Sequence, residues 1–145
     1  MSASACIEVR PQLLLAPAPV HLLTVGFSDS DYRDLGRCLN GPECRLYRAG
    51  ARRDGLPLAR RHCPDVVICE PSLPDGGWQD LLADLQSLPR PPMLIVCSLW
   101  ADDRLWAEVL NIGGYDVLMK PFHHDEVIRV VKMAARQVSW KKQSA

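Results

Sequence analysis

The chain has 145 residues, a length that suits one domain with a substantial core and leaves no room for a further output domain of ordinary size. Lys and Arg total 17, as do Asp and Glu, so no global field draws the chain to nucleic acid or to an anionic membrane; the basic cluster Arg129, Lys132, Arg136, Lys141 and Lys142 reads as a solvated helix face. Pro17 and Pro19 interrupt the apolar stretch Leu13 to Val20, with Pro11 just before it, which excludes a membrane span or signal peptide there and implies a cytoplasmic protein.

Residues 1–19 read as a Pro-rich N-terminal arm, and a folded unit is expected over 20–138. Within it the apolar runs Val20 to Val25, Cys44 to Tyr47, Val66 to Cys69, Met93 to Cys97 and Tyr115 to Met119 alternate with segments of helical character. Ser28 or Ser30 is a candidate cap for a helix through Cys38. The next helix is expected to be shortened by Gly55 and Pro57 to Leu58 through His62, or to start elsewhere. Asp75 is placed as the cap of a helix from Gly77 to Leu88, and Gly113-Gly114 ends one that begins near Asp102. Leu105, Val109 and Ile112 form its apolar stripe, with Trp106 beside it; Val127, Val130, Val131 and Ala134 form the stripe of the last helix. Residues 139–145 are left as a basic tail. Five β-α units in series predict an α/β fold with a parallel, doubly wound sheet.

Six cysteines (Cys6, Cys38, Cys44, Cys63, Cys69, Cys97) contain no C-x-x-C pair and are read as reduced thiols, not as a disulfide framework or zinc site. The most informative stretches are Asp65 to Gly76, in which Val66 to Cys69 ends in Glu70 and is followed by Leu73-Pro74, and Val117 to Phe122, which ends in Lys120-Pro121-Phe122. A short Val- and Ile-rich run that stops at a charge suits a buried parallel strand whose carboxyl end carries a site. This pattern resembles the receiver domain of two-component response regulators. The resemblance spans roughly residues 20–138 and implies a flavodoxin-like, five-stranded sheet of order 2-1-3-4-5.

Carried over residue by residue, the resemblance puts Glu70 at the phosphoacceptor Asp position and Lys120 at the phosphate-sensing lysine, with Lys120-Pro121 expected as a cis peptide. The acidic pair that holds magnesium falls on Phe27 and Ser28, with Asp29 as the one carboxylate near enough to substitute, so no metal or other cofactor is expected. The switch hydroxyl falls on Ser98, or on Cys97 when counted forward from Pro92, and Val117 stands where the family's switching aromatic would be. Trp106 and Val117 mark a candidate output face, and Trp100 a loop residue placed to shield Glu70 and Lys120 from water. His123-His124, Gly76-Gly77, Arg52-Arg53 and Arg60-Arg61 have bland readings as solvated or turn residues.

The function so implied is a degenerate receiver in a phosphorelay or two-component context, not an enzyme, acting by protein-protein contacts without its own Asp phosphorylation. Its expected partners are proteins, with a histidine kinase, an output protein and a second copy of the chain as candidates, and neither nucleic acid nor membrane. The competing readings are a phosphoaccepting receiver built on Glu70, Asp29 or Asp75, and a flavodoxin-like cofactor carrier or small enzyme.

Overall fold

The computed structural model describes residues 18–39 and 41–144. The expected arm lies outside the described residues except for Ala18 and Pro19, which lead into β1 (Val20–Val25). There follow α1 (Asp29–Cys38), β2 (Cys44–Ala49), α2 (Arg52–His62), β3 (Val66–Cys69), a short ribbon of β4 (Ser72–Leu73) and β5 (Gly76–Gly77), α3 (Trp78–Gln86), β6 (Met93–Ser98), α4 (Asp103–Ile112), β7 (Asp116–Met119) and α5 (His124–Ser144). The main sheet is parallel with the order β2-β1-β3-β6-β7, which is the doubly wound flavodoxin-like arrangement. The ribbon is antiparallel, pairs Ser72 with Gly77 and Leu73 with Gly76, and is absent from the sequence reading.

Both faces of the sheet are covered, and the period-two alternation of each strand sorts its side chains between them. Leu22, Ile68, Ile95, Cys97 and Leu118 face Leu35 of α1 and Val127, Val130, Val131 and Ala134 of α5. Leu23, Val25, Val67, Leu94 and Val96 face Ala59 of α2, Trp78, Leu81 and Leu85 of α3 and Val109 of α4. All four residues of β3 are inaccessible to solvent, which is why that strand reads as an unbroken apolar run. Each fully buried Leu, Ile or Val among them stabilises the fold by about 1.5–3 kcal/mol.

Tertiary packing alters four local expectations. The second helix starts at Arg52 and runs through Pro57, because Gly55 lets it approach the sheet closely: a Cβ there would stand 3.4 Å from Cγ2 of Val25. Burial of Gly55 and Ala59 against the sheet outweighs the backbone hydrogen bond that Pro57 cannot make. Gly77, not Asp75, precedes the first turn of α3, and Asp80 accepts the Gly77 amide at 3.0 Å. Ile112 lies 47 % exposed at the end of α4, so of its expected stripe only Val109 is fully buried. Finally α5 runs on through Ser144, across the stretch read as a tail.

Other boundaries follow their local chemistry. Ser28 caps α1 by accepting the Asp31 amide at 3.1 Å. Asp102 caps α4 by accepting the Leu105 amide at 2.9 Å, and Gly113 ends that helix at φ 122°. Among the described residues Cys38, Cys44, Cys63, Cys69 and Cys97 are all free.

Candidate functional site

The carboxyl ends of β1, β3, β6 and β7 bring the charged residues together. Glu70 follows β3 directly and its amide donates to the Val25 carbonyl of β1 at 3.3 Å. Lys120 follows β7, and its amide donates to the Ser98 carbonyl of β6 at 3.0 Å, so both residues are anchored to neighbouring strands by backbone bonds. The Lys120–Pro121 peptide is cis.

The Lys120 ammonium donates to Glu70 Oε2 and to Asp31 Oδ2, each at 2.8 Å. These side chains are 10 %, 21 % and 26 % exposed for Lys120, Glu70 and Asp31, so the triad is largely removed from solvent and its charges are weakly screened. Burial alone would lower the pKa of the ammonium, but the hydrogen bonds it donates to Asp31 and Glu70 and the Glu70 charge outweigh it and push the pKa up to about 12.

Cys97 of β6 completes the arrangement by donating its thiol to Glu70 Oε2 at 3.2 Å. Burial, and then the Glu70 charge beside it, raise its pKa well above the ordinary thiol value, so the group stays protonated and remains a donor. The β3–β6 register explains why Cys97 meets Glu70: Cys69 pairs with Val96, and the next step brings Glu70 opposite Cys97 on the α1–α5 side. Ser98 is buried, with its hydroxyl accepting the Trp100 amide at 3.0 Å. Of the two residues weighed for β6, Cys97 is the one bonded to Glu70.

The first turn of α1 supplies Asp31, which the sequence reading passed over in favour of Asp29. Asp29 points away and pairs with Arg48 Nη2 at 2.7 Å; the same nitrogen donates to the Phe27 carbonyl at 3.0 Å, and the guanidinium carbon lies 5.0 Å from the Tyr32 ring centroid. Phe27 is buried and stacks on Phe122 with ring centroids 6.0 Å apart, joining the β1–α1 loop to the one after β7. With Ser28 occupied as the α1 cap, the first carboxylate able to turn toward the sheet edge is Asp31, two residues into the helix after Asp29. The visible signal for it was the acidic first turn of α1, Asp29-Ser30-Asp31.

Trp100 does not cover the triad, for it is 82 % exposed. Arg52, read as solvated, is instead engaged with Asp84 Oδ2 at 2.6 Å and Oδ1 at 3.2 Å. His123 and His124 are exposed at the start of α5. Among the described residues no group of three or more His, Cys, Asp or Glu side chains is placed to hold a metal ion, and no helix is long and apolar enough to cross a membrane.

Away from the triad, α4, β7 and α5 form a groove of about 350 Å³ lined by Asp102, Asp103, Trp106, Val117, Met119 and Glu126. Trp106 is 50 % exposed and donates its indole N–H to Asp116 Oδ1 at 3.3 Å. Val117 is partly buried and lines the groove.

Known proteins share this architecture. The chain is 31 % identical over 107 residues to the KDP operon transcriptional regulatory protein KdpE of Escherichia coli, covering 74 % of this chain and 47 % of that protein. It is 36 % identical over 93 residues to the transcriptional regulatory protein KdpE of Mycobacterium tuberculosis, covering 64 % and 41 % respectively. The chain thus spans less than half the length of these relatives. The signal receiver domain of an HD domain-containing protein from Pseudomonas fluorescens superposes with a TM-score of 0.79 at 22 % identity, over 90 % of this chain and 97 % of that one, and so shares the fold. Residues 31–132 match the profile of the response regulator receiver domain, and with that match the chain belongs to the receiver family of two-component signalling.

Proposed function

We propose that this receiver domain signals through protein contacts and does not accept a phosphoryl group of its own. The observation that carries the reading is the Lys120 ammonium held at 2.8 Å by both Glu70 and Asp31. Phosphoryl transfer to a carboxylate depends on positioning and on cations that neutralise charge on the equatorial oxygens. Here the acceptor side chain is one methylene longer than Asp and already bonded to Lys120 and to the Cys97 thiol, so the lysine's charge is spent on resident carboxylates.

The residues present do not fit a magnesium ion. An octahedral, oxygen-seeking cation needs several carboxylate or carbonyl oxygens around one point. The acidic-pair positions carry Phe27, which is buried in ring stacking, and Ser28, which caps α1, while the ammonium of Lys120 lies between Asp31 and Glu70. A glutamate carries one negative charge against nearly two for a phosphorylated aspartate, so the site is better described as locked than as active.

The partner is a protein of a two-component or phosphorelay pathway, such as a kinase or an output protein, met in the cytoplasm, and the α4–β7–α5 groove is the surface offered to it or to a second copy. Trp106 supports this assignment, being a half-exposed aromatic that lines the groove with Val117 and Met119, the kind of residue that dominates protein interfaces.

The test is incubation with acetyl phosphate and magnesium followed by intact-mass measurement. No gain of a phosphoryl unit is expected from the native chain, whereas Phe27→Asp, Ser28→Asp and Glu70→Asp combined should restore partial labelling. A phosphoryl adduct on the native chain that disappears in Glu70→Gln refutes the reading.

A further inference from the structure

The helix α2 begins without a cap of its own. Ala51 occupies the N-cap with extended backbone (φ −146°, ψ 167°) and has no side-chain oxygen to offer the first amides. Those amides are taken instead by Asp75, from the turn between β4 and β5: Oδ1 accepts the Arg52 amide and Oδ2 the Arg53 amide, each at 2.9 Å.

The same turn is gripped from a second direction. Arg52 Nη1 donates to the Asp75 carbonyl at 3.2 Å, while the rest of its guanidinium forms the paired bonds to Asp84 of α3. At the base of the ribbon the Trp78 amide donates to the Pro71 carbonyl at 3.1 Å. On the underside Leu73 is buried over Gly26 of the first loop, so close that a Cβ on Gly26 would stand 2.6 Å from Leu73 Cδ2. Residues 71–77, which leave directly from Glu70, are therefore bonded through one carboxylate to the start of α2, through one guanidinium to α2 and α3, and by packing to the β1–α1 loop.

We infer that Asp75 is a latch: it caps α2 across the chain and thereby couples the loop that follows Glu70 to that helix, so that the loop cannot leave its place without exposing the first amides of α2. A cap supplied locally would stabilise the helix and leave the loop free to move; a cap supplied from the loop gives the two elements one opening equilibrium. This inference rests on the hydrogen-bond geometry and not on whether Glu70 accepts a phosphoryl group.

Native-state amide exchange of the full chain tests it without any phosphodonor, so its outcome is independent of the labelling experiment. Asp75→Ala should speed exchange roughly tenfold at both the Arg52 and Arg53 amides and the Gly77 and Trp78 amides. Adding Ala51→Ser, which puts a hydroxyl at the N-cap within reach of the Arg53 amide, should restore protection there while leaving Gly77 and Trp78 fast. Asp75→Asn, which keeps the shape and one acceptor oxygen, should give intermediate rates at both elements and serves if the alanine variant does not fold. Faster exchange at α2 with Gly77 and Trp78 unchanged, in either Asp75 variant, would show a cap without a latch and overturn the inference.

Discussion

Replacing Lys120 by Met removes the one cation of the triad and leaves Glu70 and Asp31 facing each other. At an effective dielectric of about 20, each ammonium–carboxylate contact at 2.8 Å is worth roughly 6 kcal/mol before desolvation. The cost of burying an ammonium that is only 10 % exposed cancels much of that sum, and the residual solvent access of the two carboxylates cancels more. The variant should therefore lose about 2–3 kcal/mol, somewhat less than the 3–5 kcal/mol typical of breaking a fully buried pair. With a urea m-value of about 2 kcal/mol/M this lowers the unfolding midpoint by about 1–1.5 M at unchanged slope.

A sign change makes the test specific: Glu70→Gln should destabilise the native chain by about 1 kcal/mol but stabilise the Lys120→Met background, where it relieves repulsion with Asp31. The pH dependence follows from the raised lysine pKa. Because the folded value, about 12, lies above the ordinary 10.5, the lysine's contribution is complete below about 10.5 and is lost as pH rises through 12. The stability gap between native chain and Lys120→Met should thus be flat through neutral pH and close as the lysine is deprotonated in strong alkali. A loss below about 0.5 kcal/mol, or the same sign for Glu70→Gln in both backgrounds, refutes the triad as a buried electrostatic unit.

Two further outcomes follow from packing. Trp106→Ala should weaken self-association or partner binding by about 1–3 kcal/mol in sedimentation or titration calorimetry while barely changing the unfolding midpoint, since the ring is half exposed; a loss of several kcal/mol of folding stability with association unchanged would make it a core residue. Gly114→Ala should cost at least about 2 kcal/mol in urea unfolding, because the new Cβ would stand 2.4 Å from Val109 Cγ1 and 3.0 Å from the Val109 carbonyl oxygen; a change under about 0.5 kcal/mol would mean that the end of α4 can shift freely.

What the sequence determined by itself is what lies within one element. Val66 to Cys69 is legible as a buried strand because burial on both faces demands continuous apolar character, Val117 to Met119 is legible as a strand although only Leu118 in it is fully buried, and the first charge after each, Glu70 and Lys120, marks the sheet edge. Ser28 and Asp102 as caps, and Gly113 as a helix stop, are equally local, since each acts on amides or backbone angles within a few residues of itself. What only the tertiary structure decided is which distant groups share a bond. Asp31 reaches Lys120 across 89 positions because Arg48 draws Asp29 aside and Ser28 fixes the start of α1. Asp75 was legible as a cap, but not as the cap of a helix 23 positions earlier, because a carboxylate satisfies whichever unpaired amides the folded chain brings to it. Cys97 prevails over Ser98 at Glu70 for a similar reason: strand register and the alternation of faces, not distance along the chain, determine which side chain of β6 turns toward the end of β3.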